Sequence, residues 1–334
     1  TPNNVWETDM ADVDKVLAVN FKGMFHCCKY AAQQMVKNLL RQTYDPKDFQ
    51  FADLTFAEKV QHAMKITTEK GYTQVAEIDI KDFFLRFTED ALVDALPLPK
   101  EATRQIVLAK SASWGHNPLY AKHGYISSPP GIPQGSASSA AVADWCIANM
   151  PLEILRGAEV INHADNFFAF AVSLNDMEIA SKALSSGIAG LPGGDFIGKT
   201  EQANAVAEGF RMLGCDVKVS KTGGFEVDPT NANVAAFRER AGKQQQRVYG
   251  RLTAAAGSQS KQLRIKGLQD YLRFQSMVEG WVNAFAFCGL LIQSAKDHYD
   301  FELGRLRYTF SITDQELQPL KDTSTLVRIE WYSG

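Results

Sequence analysis

Long apolar runs are missing from this chain of 334 residues. The strongest, near Trp281 to Ile292, is short and interrupted, so no bilayer-spanning segment and no membrane partner are expected. Cysteine is sparse and unpatterned. Cys27, Cys28, Cys146, Cys215 and Cys288 show neither Cys-x-x-Cys spacing nor a Cys/His metal signature. They read as free thiols, buried or partly buried, in a reducing cytoplasmic compartment. Neither sign of charge dominates: the formal net charge of −3 neither favours nor excludes nucleic acid as a partner. No signal-peptide pattern opens the chain, and Thr1 stands first instead of Met, so upstream residues are expected to be missing or processed away. Internal repeats and low-complexity tracts are also lacking. What remains, 45% hydrophobic and 22% charged, is the composition of a soluble globular protein with room for several cooperating subdomains.

Periodicity alternates between helix and strand. Residues 9–42 read as helix-rich, broken by Tyr44-Asp45-Pro46, and 56–70 as an amphipathic helix ending before Gly71. A buried strand is expected at 75–80, helices at 89–97 and 101–112, a loop at 127–133, and a small-residue helix at 136–155. A strand pair around Asp165, a helix at 176–185, a helix at 200–213 and short strands at 215–219 and 224–227 follow. Beyond Pro229 the pattern is helical to about residue 308, and Val327–Trp331 has strand character. Charge is unevenly placed along this last part. From Arg238 to Arg273 nine basic residues face two acidic ones, a candidate stretch for phosphate contact in which Arg247, Arg251, Arg264 and Lys266 are the residues of interest.

Two stretches carry chemistry on their own terms. Ile78-Asp79-Ile80-Lys81-Asp82 ends an apolar strand on a carboxylate, and His163-Ala164-Asp165-Asn166 presents a second carboxylate at a hairpin tip. Aspartates on neighbouring strand ends can hold divalent cations, and a metal pair can drive nucleotidyl transfer. Between them, Gly131-Ile132-Pro133-Gln134-Gly135-Ser136, with Ser139 beyond, permits a backbone approach that larger residues would forbid.

In this order the motifs resemble those of reverse transcriptases of the group II intron and bacterial kind. The resemblance covers about residues 49–225. It implies an α+β right-hand polymerase fold, with an antiparallel palm sheet, helical fingers and a helical thumb. The divisions expected are an N-terminal extension and fingers over 1–72, a palm over 73–230 with a finger insertion at about 89–128, and a thumb over 231–334. Asp79 and Asp165 then hold Mg²⁺ (or Mn²⁺), with Asn166 in the place of a further aspartate. Ile80, Lys81, Asp82, Phe83 and Phe84 cradle a nucleoside triphosphate. Phe84 takes the position of the steric gate that selects deoxynucleotides, and Gln134 braces the nucleotide or template. Gly209–Cys215 followed by Val219-Ser220-Lys221-Thr222 resembles the fourth palm motif, helix then strand, with Lys221 beside the departing pyrophosphate. The implied partners are an RNA template, a primer strand and deoxynucleoside triphosphates, with a protein partner also open.

The departures are concrete. Asn166 is neutral, Ala140 replaces a proline, and Ala52-Asp53-Leu54-Thr55 lacks the arginine of the family's triphosphate turn, leaving Lys47 or Lys81 to substitute. Two alternatives therefore stay open: a degenerate polymerase-like scaffold that binds RNA or protein, and a viral RNA-directed RNA polymerase. Val16–Lys29 resembles a helix of short-chain dehydrogenases. That likeness is taken as incidental, because the glycine-rich dinucleotide turn and the Tyr-x-x-x-Lys pair are absent.

Overall fold

The computed structural model describes residues 28, 30–108, 130–133, 136, 138–152, 156–219 and 224–321. A helix over 30–42 (α1) precedes a short turn, Asp48–Gln50, and helix α2, Phe56–Glu69. Strand β1, Gln74–Ile80, leads through the turn Phe83–Leu85 to α3, Glu89–Ala95, and to a helical turn that widens into a π-turn at Thr103–Val107. Then come α4 (Ser139–Ala148), β2 (Ala158–His163), β3 (Asn166–Ala171), α5 (Leu174–Ala189) and β4 (Gly198–Ala205). Three short strands follow: β5 (Phe210–Met212), β6 (Cys215–Val219) and β7 (Phe225–Pro229). The chain continues as helices α6 (Asn231–Ser258), α7 (Lys261–Ala284) and α8 (Gly289–Thr309), then a helix over 314–321 (α9).

Both sheets are antiparallel, one ordered β2-β3-β1-β4 and the other β5-β6-β7. The alternation along β1 explains how the first sheet is covered. Ala76, Ile78 and Ile80 face a core shared with α4 and α5, whereas Val75 faces the core built by α2, the second sheet and α6–α8. Glu77 and Asp79 lie on the Val75 side but at the margin of its cover, each half-buried, which leaves that stretch of the sheet face partly open. Central strand β3 is packed on both sides, and its Phe167, Phe168 and Phe170 are fully buried. Each such ring contributes roughly 2–3 kcal/mol of burial, so this strand anchors the sheet.

Local signals set most boundaries. Thr55 accepts from the Glu58 amide while the Glu58 carboxylate accepts from the Thr55 amide, a capping box that starts α2. Gly71, at φ 67°, follows its end. Helix α4 is shorter than its small-residue pattern suggests, because Asn149 closes it two residues before Pro151. Helix α5 in turn runs through Gly187 to Ala189, with Gly190 after its end. Gly187 lies against Pro151 O and Met150, where an added Cβ would press at 3.3 Å.

The expected helix at 200–213 is a correction: the segment forms β4, a short turn at Val206–Glu208, and β5. Ala, Glu and Gln give it good intrinsic helix propensity. Pairing with the open edge of β1, from Gln74↔Ala205 to Ile80↔Gly198, outweighs that preference. As an edge strand with a solvated face, β4 also lacks the apolar alternation that would have identified it. The helix-then-strand reading of Gly209–Cys215 fails with it, since Phe210–Met212 and Cys215–Val219 form a β-hairpin. The strand expected at 327–331 and most of the dehydrogenase-like segment lie outside the described residues.

Candidate functional site

Backbone register builds the site. His163 pairs with Asn166, Asn166 with Asp79, and Asp79 with Lys199, a row that crosses all four strands. Directly opposed antiparallel residues share a face, with Cβ atoms about 5 Å apart. Ala164-Asp165 forms the turn at the end of that row, with Ala164 at φ 51°. The Ile80 amide donates to Asp165 O at 3.0 Å and fastens the turn to the end of β1. The two aspartates singled out by sequence therefore belong to one corner of one sheet.

The corner is crowded with carboxylates. Partial burial, then the Asp165 and Glu201 carboxylates, push the Asp79 carboxyl above its ordinary value, while Lys199 opposes the rise. Glu77, two residues back on the same face, is pushed up by burial first, then by Asp79 and Glu201, with Arg211 opposing. Glu201 occupies a β-bulge in β4 opposite Glu77/Ile78, and its carboxylate lies 3.0 Å from Lys199 Nζ. Beyond Glu77 opens a cavity of about 270 Å³ bordered by Arg211, Leu213, Gly214 and Asn231.

Asp79 and Asp165 suit a hard divalent cation, because both offer oxygen and their mutual repulsion would be relieved by one. Asn166 fits less well. Its side-chain amide nitrogen donates to Asp165 Oδ1 at 3.3 Å, so it acts on the carboxylate as a hydrogen-bond donor. Among the described residues no group of three or more His, Cys, Asp or Glu is arranged to hold a metal. His163 is held toward its neutral form by burial and by the Lys59 ammonium, against the pull of Asp165.

The expected triphosphate cradle is only partly available. Ile80 and Lys81 spend their amides on Asp165 O and Ile197 O, and Ile80 and Phe83 bury their side chains. Phe83 packs against Phe87 and Phe196 at 5.1 and 5.3 Å between ring centroids, because the turn aims it into the core beneath the sheet. This leaves the exposed side chains of Lys81 and Asp82, the backbone amides of Asp82, Phe83 and Phe84, and the half-buried Phe84 ring as the parts that can meet a ligand. The glycine motif docks directly behind them. Ile132 N donates to Phe84 O at 2.9 Å, and an added Cβ on Gly131 (φ 81°) would lie 1.9 Å from Phe84 O. Ser139 Oγ donates to Pro133 O at 2.6 Å, which explains the serine of that motif. Gln134 and Lys221 lie outside the described residues.

Sequence reasoning missed Lys199, Glu77 and Glu201. The clue to Lys199 was a second Lys-Thr pair, Lys199-Thr200, earlier than Lys221-Thr222. Gly193–Thr200 also has the glycine-lysine-threonine spacing of a phosphate loop. A strand follows it instead of a helix, so no helix N-terminus meets a phosphate there. Gly193 and Gly194 serve packing on Phe87 and Arg86. The clue to Glu77 was strand alternation with Asp79.

Among the basic candidates, Arg251 pairs with Asp270 at 2.6 Å, and Asp270 is 1% exposed. Arg264 grips Glu316 with two bonds of 3.0 Å and donates to Phe310 O at 2.9 Å. These two guanidinium groups are committed to joining α6 to α7, and α7 to α9 and the segment before it. Arg247 and Lys266 are exposed.

No family model matches the chain, and no curated protein matches it. Among solved structures it is similar to telomerase from Candida albicans in complex with a TWJ fragment of telomeric RNA, at 11% identity and a TM-score of 0.38. That match covers 99% of this chain and 60% of the telomerase chain. It is also similar to the corresponding complex from Candida tropicalis, at 12% identity and a TM-score of 0.36, over 93% of this chain and 58% of the other. At such scores the likeness carries no argument about activity. No helix among the described residues is long and apolar enough to cross a membrane.

Proposed function

We propose that the chain performs RNA-directed nucleotidyl transfer, as a DNA polymerase of the reverse-transcriptase type. One observation carries this reading: Asp165, on the β2–β3 turn, is brought beside Asp79 at the end of β1, with Lys199 opposite, on a partly open sheet face. Asp79 and Asp165 would hold Mg²⁺ or Mn²⁺, which supplies positive charge for the attacking and departing oxygens. A primer 3′-hydroxyl, its proton passing to solvent, attacks the α-phosphorus of a deoxynucleoside triphosphate. The new oxygen–phosphorus bond forms as the bond to pyrophosphate breaks. Lys199, in place of Lys221, is suited by its position to offset charge on the leaving pyrophosphate. Phe84 would close the space of a ribose 2′-hydroxyl, and Arg247 and Lys266 would meet the phosphates of an RNA template and primer.

Primer extension on RNA and DNA templates, with deoxy- and ribonucleotides in Mg²⁺ and in Mn²⁺, tests the reading. Extension by the wild type that is lost in Asp165→Asn and shifted to lower metal concentration in Asn166→Asp supports it. A folded protein inert under every condition, with Asn166→Asp equally inert, refutes it. The second reading, an RNA- or protein-binding scaffold, is favoured by one specific observation, the hydrogen bond by which Asn166 occupies Asp165 Oδ1.

A further inference from the structure

The geometry points to Lys59 as the positioning residue for Asp165, acting from helix α2 through Asn162 to fix the turn that carries the carboxylate. This inference rests on the reading of Asp165 given above.

Lys59 is 7% exposed, an unusual place for an ammonium group. Burying a charge is costly unless it is well hydrogen-bonded. Lys59 Nζ meets that need by donating to Gln50 O and Asn162 O, each at 2.8 Å. Asn162 is itself 4% exposed. Its side-chain amide reaches back across the turn and donates to Ala164 O at 2.9 Å and Asn166 O at 3.1 Å. Ala164 needs that support, because a residue with a Cβ is held here in the left-handed region. The far side of the turn is Asp165, whose carbonyl accepts from the Ile80 amide beside Asp79.

Hydrogen bonds and the short backbone between them therefore link α2 to the turn that carries Asp165 and to the end of β1. The link branches at Gln50, whose side chain accepts from the Lys47 amide and donates to Asp144 O on α4. Helix α4 follows the glycine motif, so Lys59 and Gln50 tie that helix and the Asp165 turn to one buried point. A methionine could fill the same volume without a desolvation cost. The lysine is better explained by the two carbonyls it holds than by packing.

Hydrogen exchange at the Ile80 amide reports the turn directly and needs no catalysis. In Lys59→Met we expect that amide to exchange about tenfold faster, while amides of β6 and β7 keep their wild-type protection. Lys59→Arg, which keeps donors and charge, should restore part of the protection. In primer extension Lys59→Met should lower kcat about tenfold with the nucleotide KM within about twofold, the signature of a disturbed arrangement and not of weakened substrate binding. Lys59→Gln, milder and neutral, gives the same reading should Lys59→Met fail to fold. Unchanged exchange at Ile80 in the folded variant, or equal acceleration throughout both sheets, overturns the inference. Since the exchange arm stands without activity, an inert wild type would count against the polymerase reading alone.

Discussion

At the residue scale, position sets the chemistry of each group. Asp79 is a carboxyl whose folded pKa lies above its ordinary value because of burial and the neighbouring carboxylates of Asp165, Glu201 and Asp82. Such a group binds more protons folded than unfolded between those two values. Its contribution is full below the ordinary carboxylate pKa and is lost as pH rises through the raised value. Asp79→Asn should therefore raise the melting temperature at neutral pH and flatten its decline as pH rises above the ordinary carboxylate range, while reducing extension a hundredfold or more, on the order of an essential electrostatic group. Scanning calorimetry against pH checks the first outcome. Adding Mg²⁺ or Mn²⁺ should raise the melting temperature of the wild type and leave Asp79→Asn unmoved. Gly131 makes a steric case. With φ at 81° and no room beside Phe84 O, Gly131→Ala should cost about 2–5 kcal/mol in urea unfolding.

At the scale of elements, hairpin β2–β3 and edge strand β4 make contrasting cases. The hairpin is specified locally, by apolar runs on either side of a short polar tip. Its shape still depends on Asn162, and Asn162→Ala should cost about 1–3 kcal/mol by leaving the Ala164 and Asn166 carbonyls short of a donor. A variant as stable as the wild type in denaturant titration would show the turn to be self-sufficient. Strand β4 is specified from outside, by the free edge of β1. Helices α6 and α7 follow the long amphipathic pattern beyond Pro229, yet the use of their charges depends on neighbours. Arg264 serves Glu316 and the Phe310 carbonyl.

At the scale of the whole molecule, the small net charge conceals an exposed basic stretch on the helical part. Arg264→Ala should lower stability by about 1–2 kcal/mol, a value discounted for its partial exposure, with little change in the salt dependence of RNA binding. The pair Arg247→Ala and Lys266→Ala should leave stability intact and reduce the log–log salt slope by roughly one for each phosphate no longer neutralised. Fluorescence anisotropy with a short RNA over a salt series, paired with urea titration, separates the two. A slope unaffected by the double variant would remove nucleic acid from these two side chains.

Sequence alone determined what short-range periodicity can carry: the strand ending at Asp79, the hairpin around Asp165, the helices beyond Pro229, and the need for glycine at Gly131. Each follows from the alternation of apolar residues or from backbone freedom within a few positions. Tertiary structure alone decided that Lys199 faces Asp79, that Gly198–Ala205 is a strand, and that Lys59 is buried under the turn. Those outcomes depend on which edges lack hydrogen-bond partners and which charges are enclosed together. Partners so far apart in sequence meet only when the sheet closes, and no local pattern of residues encodes the meeting.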